Sequence, residues 1–379
     1  MKYIDEFRNL HLVQKLAEYI LQELAFPVKL MEVCGTHTMA IARFGIRELL
    51  PSSITLVSGP GCPVCVTPQS QIDELIRLGR QKDVILATFG DLLRVPGTLS
   101  SLELERAKGA DIRVVYSPLD AVEIAVVNKD KRVVFAGIGF ETTAPGVALA
   151  VLEAKKRGLT NFYVLSAHKL IPPAMSALAS DPAIAIQGFI CPGHVSTVIG
   201  ISAYLPLVRE YKIPCVISGF EPLDILQSIL MLVRQIKEGR ADVEVQYSRA
   251  VSQEGNLEAK RCIDKVFKVA DAEWRGLGVI PSSGLEFKPE FSMFDAKQFL
   301  SERSATLGDE KETICKCGWI LKGLISPREC SAFGTKCTPN SPLGPCMVSS
   351  EGACAAEYRY SRLTSTNSRL DDLRIKGDV

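Results

Sequence analysis

The chain has almost no net charge: 44 lysines and arginines stand against 43 aspartates and glutamates, a formal +1. So close a balance leaves no electrostatic footprint for a polyanion, and neither nucleic acid nor a membrane surface is expected as a partner. No apolar run approaches the ~20 residues that span a bilayer. The opening Met1-Lys-Tyr-Ile-Asp-Glu-Phe-Arg is charged and lacks a secretory core. A soluble, cytoplasmic protein is the expectation. The phosphate-binding pattern GxxxxGK[ST] is absent, and Gly137-Ile-Gly139-Phe-Glu-Thr142 keeps only the first two glycines of a dinucleotide fingerprint. A nucleotide site is therefore only weakly signalled, although the Thr142 and Thr143 hydroxyls could receive an anion or serve as an ordinary cap.

Cysteine, by contrast, is abundant, with twelve in the chain. Cytosolic thiols are kept reduced, so a static disulfide framework is not expected, and metal or redox chemistry becomes the default. The stretch that organises the sequence is Gly59-Pro-Gly-Cys62-Pro-Val-Cys65, together with Cys34-Gly-Thr-His37-Thr upstream. Both follow short apolar runs and open on glycine, so the chemistry sits at strand ends. The Cys62/Cys65 spacing brings two sulfurs close enough to bond to each other or to share one metal. His37, three residues after Cys34, is within reach of it across one turn.

At 379 residues the chain exceeds what one core usually supports, so two or three domains are expected. Residues 5–25 carry apolar side chains at helical spacing up to Pro27. Apolar runs at 29–33, 54–57, 84–88 and 112–116 then alternate with helical stretches at 69–80 and 100–108. The rhythm restarts at 133–136, 162–165, 186–190 and 215–217. Strands alternating with helices predict parallel sheets covered on both faces. The expected division is a first α/β domain over 1–130, a second over 131–244, an irregular cysteine-rich domain over 245–360 and a polar tail over 361–379. Two such α/β domains would face a cleft with their strand-end loops, where open sheets bind ligands. His168 and His194 also end strands and could line that cleft. His11 reads as solvated, and Cys191, Cys215 and Cys262 read as structural.

Six cysteines crowd the C-terminal region: Cys315, Cys317, Cys330, Cys337, Cys346 and Cys354, among closely spaced glycines and prolines. Such turns let thiolates converge. A CxC followed by single cysteines suits a [4Fe–4S] cluster better than the two CxxC knuckles of a zinc ribbon. Four ligands leave two cysteines over. In an extended CxC the side chains diverge, so one of Cys315 and Cys317 binds iron and the other is free for a neighbouring disulfide.

Cys34-Gly-Thr-His37-Thr, Gly59-Pro-Gly-Cys62-Pro-Val-Cys65, Thr88-Phe-Gly-Asp91, Cys191-Pro-Gly-His194 and the six-cysteine region together resemble the HypD family of hydrogenase maturation factors, along nearly the whole chain. The resemblance implies two Rossmann-like parallel-sheet domains plus a domain holding a [4Fe–4S] cluster in a setting similar to that of ferredoxin–thioredoxin reductase. It implies a scaffold shared with the small partner HypC, on which iron acquires two cyanides and one carbon monoxide. HypE would supply the cyanide, and a [NiFe]-hydrogenase large subunit would receive the Fe(CN)2CO unit. The family's essential thiols match Cys34, Cys62 and Cys65. The same resemblance places the cluster on Cys315, Cys330, Cys337 and Cys354, with Cys346 the alternative fourth ligand, and leaves Cys317 to pair with the other. Cys34 is then the thiolate that holds the iron under construction, with His37 beside it and Cys62/Cys65 cycling between dithiol and disulfide. Two other readings use the same residues: a cluster-dependent thiol–disulfide oxidoreductase acting on protein substrates, and a zinc-stabilised adaptor.

Overall fold

The computed structural model describes residues 5–24, 26–300 and 314–361. Eleven strands are found among them: β1 (Val28–Glu32), β2 (Ile54–Ser58), β3 (Val84–Thr88), β4 (Ile112–Val114), β5 (Arg132–Gly137), β6 (Phe162–Ser166), β7 (Gly188–Pro192), β8 (Cys215–Ser218), β9 (Val243–Val245), β10 (Phe267–Trp274) and β11 (Gly278–Phe287). They build a five-stranded sheet in the order β2-β1-β7-β8-β9, a four-stranded sheet in the order β4-β3-β5-β6, and the hairpin β10-β11. Every pair in the two larger sheets is parallel. The fold is the expected mixed α/β with two parallel sheets and a cysteine-rich segment, but the strands divide between the sheets differently from the expectation. β3 and β4 pair with strands beyond residue 130, in the register Val84↔Arg132 and Ile85↔Val133. The first sheet instead takes β1 and β2 and then waits for β7. Periodicity reports that a strand exists and not which strand lies beside it. Nothing local marks the chain leaving one sheet after Ser58 and entering another at Val84.

Each sheet is covered on both faces, as parallel strands require. On the outer face of the first, Leu30, Ile190 and Val216 meet Val13 and Ile20 of helix Leu10–Glu23 and Ile225 and Ile229 of helix Pro222–Lys237. Val13 and Ile20 are fully buried, each contributing about 1.5–3 kcal/mol as an upper estimate. Asn9 starts that helix by accepting a hydrogen bond from the Leu12 amide, 3.1 Å, which satisfies one of the free N–H groups of the first turn. On the outer face of the second sheet, Ile85, Phe135 and Val164 pack on Val147 and Val151 of helix Ala144–Lys156 and on Phe267 and Phe287 of the hairpin. The inner faces share one core: Met31, Phe189 and Ile217 from one sheet, Leu86, Val134 and Leu165 from the other.

Helix Leu257–Val266 and the hairpin occupy sequence where no clear period was expected, although the helix carries a short apolar stripe of Cys262, Ile263 and Val266. In β11, Pro281 and a positive φ of 53° at Ser282, with the register shift between Ala270 and Ala272, break the alternation that would mark a strand. The expected polar tail lies outside the described residues beyond Ser361. No helix among the described residues is long and apolar enough to cross a membrane.

Candidate thiol site

β1 and β2 end side by side, and their two loops are stitched together. Gly59 N donates to Glu32 O at 2.7 Å and Gly35 N donates to Gly61 O at 2.9 Å. A Cβ on Gly61 would lie 2.3 Å from Cys34 N, so the approach of the two loops depends on glycine. Cys34 caps helix Gly35–Arg43 in extended conformation. Cys62 caps the short helix Pro63–Val66, where Pro63 takes the first position with no amide hydrogen to leave unsatisfied. A helix thus begins inside the CxxC motif, ahead of the expected one at Gln69–Gly79. Cys62 and Cys65 are joined as a disulfide, with Cα atoms 5.2 Å apart.

Cys34 is 8% exposed. Burial, and next the charge of Glu351, push its thiol up to about 12, while the backbone amides of His37 and Thr36 pull the other way. At neutral pH it is a thiol unless a cation takes the proton's place. Two carboxylates that the sequence reading passed over frame it. Glu32, at the end of β1, is buried. Its Oε2 accepts from Cys34 N (3.1 Å) and its Oε1 from Thr38 Oγ1 (2.5 Å). Glu351, just before helix Ala353–Ser361, accepts from Thr36 Oγ1 at 2.9 Å, and Asp91 acts on it electrostatically. A charged residue inside an apolar strand run was the available signal for Glu32. Glu351 has none, because it arrives from 315 residues away in sequence.

His37 is fully buried. Its Nε2 lies 2.8 Å from Gly219 O, its ring packs on Phe220 at 4.7 Å, and its Nδ1 has no hydrogen-bond partner. Burial lowers it to about 4, so the ring is neutral at pH 7. What His37 turns toward Cys34 is its backbone amide. His194 stacks on the same Phe220 at 4.0 Å. His168 lies under the hairpin, 3.0 Å from Ser166 Oγ and against Phe267. His11 is exposed, and Cys191 and Cys215 are buried in β7 and β8. In the glycine motif after β5, Thr143 Oγ1 donates to Phe140 O. The buried Glu141 accepts from Ile171 N at 2.9 Å while its other oxygen has no partner.

The C-terminal cysteines converge. Cys317 and Cys346 have their sulfurs 2.6 Å apart. Burial first, then the charges of Cys317, Cys315, Cys337 and Cys330, push the Cys354 thiol far up. Cys337 is raised by burial and, more weakly, by Cys315 and Cys330, while the Leu343 amide donates to its sulfur at 3.3 Å. Among the described residues no three His, Cys, Asp or Glu side chains are grouped around a single ion. The side chains this segment could offer are sulfur donors, a chemistry compatible with a metal cluster. Mutual repulsion of buried thiolates is relieved when a cation binds them. This segment covers both strand-end motifs: helix Pro345–Val348 packs on helix Pro63–Val66, and helix Ala353–Ser361 on helix Gly35–Arg43. Beside the latter contact is a groove of about 490 Å³ reached by Thr38, Ser58, Arg47, Leu324, Arg328 and Glu357.

An α/β scaffold with a buried thiol and a CxxC at adjoining strand ends, covered by a segment with six cysteines, defines a thiol-dense α/β protein. The family model described as "HypD: Hydrogenase formation hypA family" matches residues 11–361. The hydrogenase maturation factor HypD of Azotobacter vinelandii is 50% identical over 374 residues, covering 96% of this chain and 97% of its own. That of Cupriavidus necator is 48% identical over 374 residues, covering 96% and 98%. That of Escherichia coli K12 is 43% identical over 373 residues, covering 96% and 100%. The chain belongs to the HypD family, and hydrogenase maturation is its function at the level the family defines.

Proposed function

We propose that this chain is the scaffold and redox protein on which the Fe(CN)2CO centre of a [NiFe]-hydrogenase is assembled, in a stable complex with HypC and a transient one with HypE as cyanide donor. The observation that carries the reading is the 2.9 Å hydrogen bond from Gly35 to Gly61. It ties the loop of Cys34 to the loop of Cys62 and Cys65, which supports reading the first as the metal thiol and the second as a two-electron pair acting beside it. Iron with cyanide and carbon monoxide ligands is the cargo, and soft thiolates are its natural anchors. Cys34 provides one and the partner the second.

The buried environment of Cys34 keeps the thiol protonated until iron displaces the proton. Glu32 holds the Cys34 amide, and the amides of Thr36 and His37 receive the negative charge that develops on sulfur. Cys315, Cys330, Cys337 and Cys354 would hold a [4Fe–4S] cluster, which would supply single electrons. Cys62 and Cys65 open from disulfide to dithiol and close again, giving the unit its two-electron step. The test is infrared spectroscopy of the anaerobic complex with HypC. Bands of iron-bound cyanide and carbon monoxide are expected, and are lost in Cys34→Ala while the Cys62–Cys65 pair still titrates. Unchanged bands in that variant overturn the assignment of Cys34.

A second reading, a cluster-dependent thiol–disulfide oxidoreductase acting on proteins, is favoured by the 2.6 Å Cys317–Cys346 approach. It predicts the same redox couples with no cyanide or carbon monoxide bands. A zinc adaptor predicts a colourless protein with stoichiometric zinc where a cluster protein is brown.

A further inference from the structure

The ends of β1, β7 and β8 meet at one aromatic ring. Phe220, just past β8, packs against His37 with ring centres 4.7 Å apart and against His194 with ring centres 4.0 Å apart. Gly219, the residue before it, accepts the His37 Nε2–H on its carbonyl at 2.8 Å. His37 lies in the first turn of helix Gly35–Arg43, so the turn that follows Cys34 is pinned by Gly219 and Phe220. His194 follows Gly193, where a Cβ would lie 2.5 Å from Ser218 O and 3.2 Å from Phe220 Cε2. The loop after β7 reaches the ring because that position has no side chain.

A buried carboxylate holds the Gly219–Phe220 turn. Asp224, in the first turn of helix Pro222–Lys237, has a side chain with no exposure, and a charge in such a place persists only when its hydrogen bonds are filled. Arg249 grips it with both prongs, Nη1 to Oδ1 at 2.9 Å and Nη2 to Oδ2 at 2.6 Å. Gln246 Nε2 donates to Oδ1 at 2.8 Å, and the Glu221 amide to Oδ2 at 3.2 Å. At its other end Gln246 accepts the Gly219 amide on Oε1 at 3.1 Å. A Cβ on Gly219 would lie 2.3 Å from Asp224 Oδ2, so the turn and the carboxylate are in direct contact. Arg249 lies over Phe7 and Tyr247, 4.2 and 4.4 Å from their ring centres, which orients its fork. Capping helix Pro222–Lys237 needs only the bond from Glu221. Arg249 and Gln246 add three donors and carry the hold to the turn.

We propose that Asp224 is a positioning residue: through Gln246 and the Gly219–Phe220 turn it sets His37 and His194 on one ring and so fixes the helix turn behind Cys34. The purpose of that placement rests on the reading of Cys34 as the metal thiol. The geometry does not, and both readouts below are free of iron chemistry.

The test uses the full chain, purified anaerobically, with histidine labelled by carbon-13 at Cε1. The chain has four histidines, so each can be followed by its own imidazole signal. Phe220→Leu identifies the two that lie on the ring, because only those lose its ring-current displacement. In Asp224→Asn the same two signals are expected to move toward their Phe220→Leu positions while His11 and His168 stay. Cys34, followed by mass spectrometry during iodoacetamide treatment, is expected to alkylate about tenfold faster than in the wild type, as the first turn of helix Gly35–Arg43 opens more often. Cys191 and Cys215 are expected to keep their wild-type rates. Arg249→Gln leaves the carboxylate its bonds from Gln246 and Glu221. It is expected to give both effects at smaller size, and it decides the matter if Asp224→Asn does not fold. Signals of His37 and His194 unmoved in the variants, or moved without faster alkylation of Cys34, overturn the inference. A shift of all four signals together also overturns it, since Asp224 would then serve general stability. None of these results bears on Cys34 as the metal thiol, which falls only with the infrared bands.

Discussion

Gly35 N and Gly61 O lie 2.9 Å apart, and each glycine adjoins a cysteine, Cys34 on one side and Cys62 on the other. The bond crosses between the ends of β1 and β2, whose pairing runs in register from Val28↔Ile54 to Glu32↔Ser58. The two sulfur motifs are therefore held with the precision of a sheet rather than of a loop. A change in one loop must be felt in the other.

Gly61→Ala tests that relationship. The added methyl would sit 2.3 Å from Cys34 N, and also within 2.6 Å of its carbonyl carbon, so no flexible side chain can yield. Overpacking of this kind costs ~1–3 kcal/mol, and denaturant unfolding should show a lower midpoint with an unchanged slope. A midpoint equal to wild type would mean that the loops separate without cost.

Stability should carry a pH signature from Glu141. Burial raises its carboxyl to about 7, above its unfolded value of about 4.5. The folded state therefore binds the proton more tightly, and stability present at acid pH is lost as pH rises from about 4.5 through 7. The loss is on the order of 3 kcal/mol. Glu141→Gln keeps an oxygen to accept from Ile171 N and should flatten that part of the profile in urea titrations at stepped pH. An equally steep profile in the variant would remove Glu141 from the explanation.

Iron and acid-labile sulfide separate the cysteines. Cys330→Ser and Cys337→Ser, each lacking a thiolate proposed to hold the cluster, should lose most of both in anaerobic preparations, and Cys317→Ser should retain them. Full cluster content in both of the first two variants would mean that the cluster lies on other residues.

Thiol trapping at controlled potential should find a two-electron couple at Cys62/Cys65, absent from Cys65→Ser. If both thiols stay reduced at every potential while maturation proceeds, the pair has only a structural or metal-binding role.

Much of this was legible in the chain. Alternating apolar runs located β1 to β8 within a residue or two, and the glycine-flanked cysteines placed Cys34 and Cys62/Cys65 at strand ends. What stayed hidden is what depends on pairing over distance. β3 looks no different from β2, yet it joins another sheet. Glu351 is an ordinary acidic residue in sequence and becomes a neighbour of Cys34 only because helix Ala353–Ser361 docks on helix Gly35–Arg43. His37 was expected within reach of Cys34, to hydrogen-bond or protonate a ligand held there. Its side chain is instead held by Gly219 O and Phe220, elements 182 residues away in sequence that no local pattern announces.

The interleaving of the two sheets also orders events during synthesis. Lys29 N bonds Gln187 Oε1 across 158 residues, and β1 finds β7 only after the whole second sheet has been made. Long-range parallel pairing forms slowly, and domains fold as the ribosome releases them. In a nascent chain shorter than about half the protein, neither Gly219, the partner of His37, nor Glu351, the partner of Thr36, has yet been made. The surroundings of Cys34 are completed last, when helix Ala353–Ser361 docks on helix Gly35–Arg43, so an unfinished chain lacks the environment that the finished one gives this thiol.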